Sequence, residues 1–226
     1  MSTELRAIGA EFGGAAILLA AVVGSGIMGQ SLAGGNAAIA LLANSLATAA
    51  ILWVLIDMLG PVSGAHFNPA VSLVLWMDGR IAPSRALAYA GAQLAGAVSG
   101  VILAHAMFDL PLLQVSQTAR ASAGQWISEM VATGGLVCVI LIALRKSAPA
   151  IPAAVSLYIL AAYWFTASTS FANPAVTLAR SLTATFAGIA PGHVPAFALA
   201  QLAGAVCGFG VARALTRGDR ETETRR

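Results

Sequence analysis

The chain carries the same tripeptide twice, as Asn68-Pro69-Ala70 and as Asn173-Pro174-Ala175. Each copy opens a longer match, NPAVSL at 68–73 and NPAVTL at 173–178, and the two copies lie 105 positions apart. Near-identity over six residues at that distance indicates an internal duplication with one motif in each half. Since the sequence around both motifs is strongly apolar, the duplicated unit is predicted to lie within a membrane.

Composition supports a membrane protein. Hydrophobic residues make up 58% of the 226 and charged residues 9%, and mean hydropathy is +0.83, whereas soluble domains carry about 25% charged residues. Six stretches are apolar over the roughly 20 residues that a helix needs to cross a bilayer. They cover residues 8–29, 37–58, 84–107, 125–145, 149–167 and 193–214. Cys138 and Cys207 fall inside these spans, and we interpret them as packing residues rather than disulfide partners or metal ligands.

Basic residues at the span ends indicate the orientation. One side of the membrane receives ten of them: Arg6, Arg80, Arg85, Arg145, Lys146, Arg213, Arg217, Arg220, Arg225 and Arg226. The other side receives Arg120 and Arg180. Because cytoplasmic loops carry the excess of lysine and arginine, we expect a multi-pass protein of the cell inner (plasma) membrane with both termini cytoplasmic. The net charge of +3 does not indicate a nucleic-acid partner.

The duplication extends beyond the two motifs. GAQLAGAVSG at 91–100 matches LAQLAGAVCG at 199–208, and Glu11 and Glu129 each place an acid inside a span early in its half. Three spans per repeat is an odd number, so the second copy must enter the membrane from the opposite side. The sequence therefore predicts an inverted repeat, in which functional sites lie at the midplane between the copies. The predicted organisation is a first repeat at 1–117, a second at 118–214 and a charged cytoplasmic tail at 215–226.

The segments around the motifs, 60–78 and 168–186, are apolar but too short to cross the membrane twice. Each is predicted to be a re-entrant loop followed by a half-helix, since non-helical backbone at membrane depth must be buried in protein or line water. Asparagine is a favoured N-cap and proline a favoured first helical residue, so a helix should begin at the proline of each motif. The positive helix ends would then face each other near the bilayer centre. There Asn68 and Asn173 would offer amide donors to a neutral solute, while cations are repelled.

The predicted fold is therefore an all-α membrane protein with six transmembrane helices and two re-entrant half-helices in an inverted three-helix repeat. SGAHFNPAV at 63–71, the second NPA motif, the paired glutamates and the AQLAGA segments resemble the aquaporin/aquaglyceroporin family (major intrinsic proteins) over about residues 8–214. The resemblance implies a homotetramer in the lipid bilayer with one pore per subunit.

The resemblance also implies roles for the loop residues. Backbone carbonyls of the two loops would form a ladder of hydrogen-bond acceptors along the pore. The ladder would comprise Ser63, Gly64, Ala65 and His66 in the first loop and Ser170, Phe171 and Ala172 in the second. Glu11 and Glu129 would brace the loops by accepting hydrogen bonds from backbone N–H groups, which fits the cost of an unpaired acid in a membrane.

At the selectivity filter the chain departs from the family pattern. Most relatives have an arginine directly after the second NPA motif, where this chain has Val176. Spacing from the motifs places the other filter positions at Thr48, Ala161 and Ser170, and a one-residue shift in loop length would put Phe171 in place of Ser170. The four residues are small and neither charged nor aromatic, so the ring is predicted to be wide and mildly polar.

A wide, uncharged ring favours neutral solutes larger than water. The family includes bacterial arsenic-linked channels with an arginine-free filter. The resemblance thus implies passive permeation of water, glycerol-like solutes and metalloid hydroxides such as arsenous acid, with methylated arsenicals as further candidates. A water-selective channel, a secondary transporter and a non-conducting scaffold are the alternatives. The sequence contains no nucleophile–base pair, metal cluster or phosphate loop, so no enzyme, cofactor or metal site is predicted.

Arg180 has two interpretations. It lies four residues after Val176, hence on the same helix face one turn further out. It can put a positive charge at the outer mouth, as a displaced filter arginine. The alternative, which the sequence favours, is that it snorkels to the interface or binds backbone carbonyls.

Overall fold

The computed structural model describes residues 2–146 and 148–216, and in these ranges all regular secondary structure is helical. The α-helices are α1 (Thr3–Leu32), α2 (Ala37–Ser63), α3 (Pro69–Met77), α4 (Pro83–Met107), α5 (Ala123–Lys146), α6 (Ile151–Phe165), α7 (Pro174–Ala179) and α8 (Val194–Leu215). Short 3₁₀ turns lie at Ala148–Ala150, Arg180–Leu182 and Pro191–His193. The predicted all-α fold is confirmed. Most of the predicted tail, from residue 217 onward, lies outside the described residues.

Five helices, α1, α2, α4, α5 and α8, are long and apolar enough to cross a membrane. The remaining predicted span is shorter than expected, because α6 has 15 residues and the chain leaves the helix at Thr166 to begin the second re-entrant loop. α2 is longer than predicted and continues through Pro61 to Ser63. It ends at Gly64, whose φ of 92° is a left-handed conformation that favours glycine.

The outer surface of the bundle is apolar. Large hydrophobic side chains are exposed along the long helices, for example Leu87 at 76% and Leu199 at 68%. Exposed apolar surface of this extent is expected where a helix faces lipid rather than water. The four tryptophans, Trp53, Trp76, Trp126 and Trp164, are all between 38% and 47% exposed, as expected for side chains that anchor helices at membrane interfaces.

Glycines allow the closest helix contacts in each half. At Gly96 and Gly100 of α4, an added Cβ atom would overlap a backbone carbonyl of α1. At Gly204 and Gly208 of α8, it would overlap a backbone carbonyl of α5 in the same way. The repeated AQLAGA segments of the sequence therefore form two equivalent helix crossings, one per repeat.

The chain direction alternates along the six helices α1, α2, α4, α5, α6 and α8, so the ends of the described chain, Ser2 and Thr216, lie on one side of the bundle. We call this the termini side. α2 ends there, the loop after it returns to the middle of the bundle, and α3 runs back toward the termini side. α7 begins at the middle and runs toward the opposite side, so the two half-helices meet at their N-terminal ends. The boundary between repeats at residues 117 and 118 stays a prediction.

Candidate functional site

A cavity of about 280 Å³ lies between the two halves and is lined by both. Much of its wall comes from residues spaced by four along four helices, which places them on one face of each helix. They are Leu18 and Val22 of α1, Thr48, Leu52 and Ile56 of α2, Leu136, Ile140 and Leu144 of α5, and Ile151, Val155, Ile159 and Tyr163 of α6. The two re-entrant loops build the other part of the wall, at 63–68 and 170–173.

The asparagines of the two motifs meet at the centre of the cavity. Nδ2 of Asn68 donates a hydrogen bond to the carbonyl of Ala172 (2.7 Å), and Nδ2 of Asn173 donates one to the carbonyl of Phe67 (2.8 Å). Each Oδ1 caps its own half-helix by accepting from the backbone N–H two residues on, at 2.9 Å in both motifs. Because an amide nitrogen carries two N–H groups, each asparagine keeps one that these bonds do not use.

The re-entrant loops adopt unusual backbone conformations at equivalent positions of the two repeats. Positive φ angles occur at Gly64 (92°), Ala65 (50°) and Phe67 (47°), and at Thr169 (63°), Ser170 (50°) and Ala172 (49°). For residues other than glycine such a conformation costs on the order of 1–3 kcal/mol and persists only where the surroundings enforce it. Something in each half must therefore hold the loop in place.

Two buried carboxylates hold the loops. Glu11, fully buried, accepts hydrogen bonds from the N–H groups of residues 66 (2.9 Å) and 67 (2.7 Å). Glu129, also fully buried, accepts from the N–H groups of residues 171 (2.9 Å) and 172 (2.8 Å). Hydrogen bonds to a charged acceptor are roughly twice as strong as neutral ones, so these bonds offset the backbone strain.

Sequence reasoning missed two glutamines that complete these networks. Nε2 of Gln93 donates to Glu11 (2.7 Å) and Nε2 of Gln201 donates to Glu129 (2.6 Å). Each amide also donates to a hydroxyl of the neighbouring half-helix, at 3.1 and 2.7 Å. The signal was present in the repeated AQLAGA segments, since a polar residue retained in both copies of an apolar helix needs a buried partner.

The predicted ladder of carbonyls is partly occupied by protein. The carbonyl of Ser63 accepts from the hydroxyl of Tyr89 (2.9 Å), and that of Ala172 accepts from Asn68. The carbonyls at 64–66, 170 and 171 accept no hydrogen bond from the described residues. These five lie in the loops that line the cavity, and they can accept hydrogen bonds from a solute.

The structure contradicts one filter assignment. Ala161 is exposed on the outer face of α6 and does not line the cavity, whereas Tyr163 is 3% exposed and does. Two residues apart on a helix point about 200° from each other, so a count of 12 residues back from Asn173 lands on the wrong face. The helix stripe Ile151, Val155, Ile159 and Tyr163, spaced by four, was the sequence signal that identifies the correct residue. Tyr163, an aromatic residue, therefore lies on the cavity wall in place of the predicted Ala161.

The other three predicted filter positions are found on the cavity wall. Thr48, Ser170 and Val176 all line it and are between 2% and 6% exposed. The hydroxyl of Ser170 is buried and has no hydrogen-bond partner among the described residues. Phe171, the alternative to Ser170, lines the cavity as well and packs edge-on against Phe197 at 5.3 Å between ring centroids.

Arg180 lines the cavity one turn beyond Val176, and it is 2% exposed. Its Nε donates to the backbone carbonyl of Ala187, and its guanidinium carbon lies 3.4 Å from the centroid of the Phe171 ring. Contact with a backbone carbonyl, which the sequence favoured, therefore occurs together with a position on the cavity wall.

Arg120 lies beside Arg180, in the connection between α4 and α5. Its guanidinium carbon is 4.9 Å from the centroid of the Phe171 ring, and its nitrogens donate to the carbonyls of Gly188 (2.9 Å) and Ser168 (3.1 Å). Burial lowers the pKa of Arg120 and the carboxylate of Glu129 opposes that shift. Arginine keeps its charge in proteins, so both side chains contribute positive charge here.

The mouth on the termini side has a different charge balance. Arg80 lines it, and Nε of Arg80 forms an ion pair with Oδ2 of Asp78 at 2.9 Å. Arg80 and Arg180 are the charged residues of the cavity wall within the described ranges, and no acid lines it there. The described residues also contain no group of three or more potential metal ligands.

A sequence profile of the major intrinsic protein family matches residues 1–162 and 144–226. The chain belongs to the major intrinsic protein family. It is 57% identical over 204 residues to aquaglyceroporin AqpS of Rhizobium meliloti, covering 90% of this chain and 87% of that protein. Mouse aquaporin-5 is 40% identical over a shorter stretch of 73 residues, which is 32% of this chain and 28% of that protein. The crystal structure of the Plasmodium falciparum aquaglyceroporin has the same fold, with a TM-score of 0.70 at 20% identity over 93% of this chain and 94% of that one.

As a major intrinsic protein, the chain is a membrane channel, and the family resemblance predicted from its motifs is confirmed. Both re-entrant loops line the cavity between the two repeats. Its wall combines a hydrocarbon surface with a short series of polar groups, as sites for small molecules commonly do.

Proposed function

We propose that the protein is a passive channel for small neutral solutes. It passes water, glycerol-like molecules and metalloid hydroxides such as arsenous acid, and methylated arsenicals are further candidates. One observation carries the proposal: within the described residues, unpaired carbonyls and asparagine N–H groups share the cavity with an aliphatic wall, and no acid lines it. A polyol or arsenous acid has hydroxyl groups that can bind such a polar stripe in turn, with its remaining surface against the aliphatic side.

The composition of the ring supports solutes larger than water. Val176 occupies the position where most relatives place an arginine, and Thr48 and Ser170 are small. Tyr163 adds bulk but also a hydroxyl, so the ring presents three hydroxyls and one valine. Such a ring lacks the bulk and the positive charge of an arginine side chain, and it offers hydrogen-bond donors and acceptors to a hydroxylated solute. AqpS of Rhizobium meliloti, at 57% identity, carries the name aquaglyceroporin, which agrees with this substrate class.

The test is stopped-flow light scattering on proteoliposomes with water, glycerol and arsenous acid. Val176→Arg should reduce glycerol and arsenous acid permeability by about tenfold, equivalent to about 1.4 kcal/mol, while water flux persists. Val176→Leu is the matched control, because it adds volume without charge or hydrogen-bond donors, and it should have the smaller effect. If the wild type passes only water, the proposed solute range is wrong.

A water-selective channel is the second candidate, and Tyr163 is the observation that favours it. A tyrosine at the ring narrows the passage relative to the alanine that spacing predicted. In that case the wild type conducts water alone, and removal of the tyrosine side chain admits glycerol. Saturable, ion-dependent uptake would instead indicate a secondary transporter, and flux equal to that of empty liposomes would indicate a non-conducting scaffold.

We also propose that the channel is a homotetramer in the plasma membrane with its termini side in the cytoplasm. The distribution of charge supports this orientation, since Arg6, Arg80, Arg85 and Arg213 belong to the termini side and Arg120 to the opposite side. Light scattering of the detergent-solubilised protein would give the subunit number. Protease cleavage of the tail in sealed inside-out vesicles, and its absence in intact cells, would establish the orientation.

A further inference from the structure

We propose that Arg180, with Arg120 beside it, forms a barrier to cations at the cavity mouth opposite the termini, so that the uncharged ring need not exclude them itself. Permeation of neutral solutes is taken from the proposed function, and the barrier is an additional property of the same cavity. We call the end of the cavity lined by Ser170, Val176 and Arg180 the opposite mouth.

Arg180 places its positive charge on the cavity wall. Arg180 is one turn beyond Val176 and lines the same cavity, so a solute that passes the ring must also pass this guanidinium. Its Nε is bound to the carbonyl of Ala187, and this is the hydrogen bond that Arg180 makes within the described residues. The terminal nitrogens of the guanidinium have no hydrogen-bond partner within the described residues.

The charge is fixed and has no ion-pair partner within the described residues. Stacking on Phe171 at 3.4 Å and the bond to Ala187 hold the side chain from two directions. Within the described residues the recorded salt bridge is the one between Arg80 and Asp78, at the other mouth. The nearby acid, Glu129, directs its oxygens to backbone N–H groups and a glutamine amide instead.

Arg120 adds a second positive charge. It lies over the same phenyl ring, and neither arginine is within ion-pair distance of an acid among the described residues. Two guanidinium groups against a single carboxylate leave the opposite mouth with an excess of positive charge. In a narrow site with low-dielectric walls, such a field excludes cations far more effectively than it would in bulk water.

The two mouths therefore differ. Asp78 neutralises Arg80 on the termini side, whereas nothing described neutralises Arg180. A cation entering from either side meets the unbalanced charge only at the opposite mouth, next to the ring. The charge raises no barrier to neutral solutes at this mouth, because a guanidinium can donate hydrogen bonds to their oxygens.

Guanidinium and urea make a sharp pair of probes, since they are planar molecules of nearly the same size that differ by one charge. In proteoliposomes, Arg180→Gln should raise guanidinium permeability at least about tenfold relative to urea, because the removed term is a unit-charge repulsion at short range. Arg180→Lys should keep the barrier. Arg213→Gln is the matched control: Arg213 also lies over a phenylalanine ring, that of Phe209 at 5.0 Å, but it is exposed and does not line the cavity.

A second measurement tests the barrier to cations without any neutral solute. Proton influx, followed with a trapped pH dye under a potassium diffusion potential, should rise in Arg180→Gln and further in the double variant with Arg120→Gln. An unchanged guanidinium-to-urea ratio and unchanged proton influx in both variants would overturn the barrier. Urea and glycerol flux no faster than in empty liposomes would overturn the proposed function instead, and the proton measurement would still decide the barrier.

Discussion

The hydroxyl of Tyr163 donates a hydrogen bond of 3.3 Å to Oγ1 of Thr48. This contact joins α6 of the second repeat to α2 of the first at the cavity wall, and both residues are nearly fully buried. It places the tyrosine beside Thr48, and we propose that both belong to one ring with Ser170 and Val176. The proposed ring therefore includes a residue that motif spacing did not identify.

Tyr163→Ala should raise the ratio of glycerol to water permeability severalfold, because it removes the largest side chain of the ring. Ala161→Val, a change on the exposed face of the same helix, is the control and should leave the ratio as in the wild type. Both are measured by stopped-flow light scattering on proteoliposomes. A changed permeability ratio in Ala161→Val, with none in Tyr163→Ala, would show that Ala161 belongs to the ring and Tyr163 does not.

Glu129→Gln should destabilise the protein by about 3 kcal/mol or more, since each hydrogen bond to a charged acceptor contributes about 1.5–3 kcal/mol. The amide that replaces one oxygen would also point a donor at backbone N–H groups. The measurement is thermal unfolding in detergent, in which the fraction of the protein that remains soluble is determined at each temperature. Asp109→Asn, an equally conservative change at an exposed acid, should leave the unfolding temperature unchanged.

Glu11→Gln should have a similar effect on the first repeat, for the same reason. Its carboxylate accepts from two backbone N–H groups, from the hydroxyl of Ser63 (2.6 Å) and from Gln93. With the additional bond from Ser63, the first loop should lose at least as much as the second. A change in unfolding temperature no larger than that of Asp109→Asn would mean that the carboxylate does not hold the loop.

Gly204→Ala should destabilise the protein by about 1–3 kcal/mol, the usual cost of overpacking. The new Cβ atom would overlap the backbone carbonyl of Met130, which cannot move without displacing α5. Gly91→Ala is the matched control, because nothing lies within 4 Å of its added Cβ. In an exposed helix interior, that change should be neutral or stabilise by about 0.5–1 kcal/mol. Equal unfolding temperatures for the two variants would contradict the close α5–α8 contact.

The half-helices show how far local sequence reaches. An asparagine followed by a proline specifies an N-cap and a first helical residue through bonds within three positions of each other, so both helix starts could be predicted from the motif alone. The ends of α2 and α6 could not be. Hydropathy predicted that the second span ends at residue 58, yet α2 continues to Ser63. The point at which the re-entrant loop leaves the helix depends on the carboxylate of Glu11, which lies in another helix and binds the loop.

The sequence by itself determined the membrane class, the inverted repeat, the two half-helices and the absence of an arginine directly after the second motif. These properties follow from periodicity, composition and bonds between residues close in the chain. Only the tertiary structure decided that Tyr163 rather than Ala161 faces the cavity, that Gln93 and Gln201 complete the carboxylate networks, and that Arg180 stacks on Phe171 beside Arg120. The physical reason is the same in each case. The rotation of a helix about its axis and the partners of a buried polar group are fixed by packing between segments far apart in the chain. A stripe of residues spaced by four or a repeated glutamine marks the buried face of a helix, but it does not specify what that face contacts.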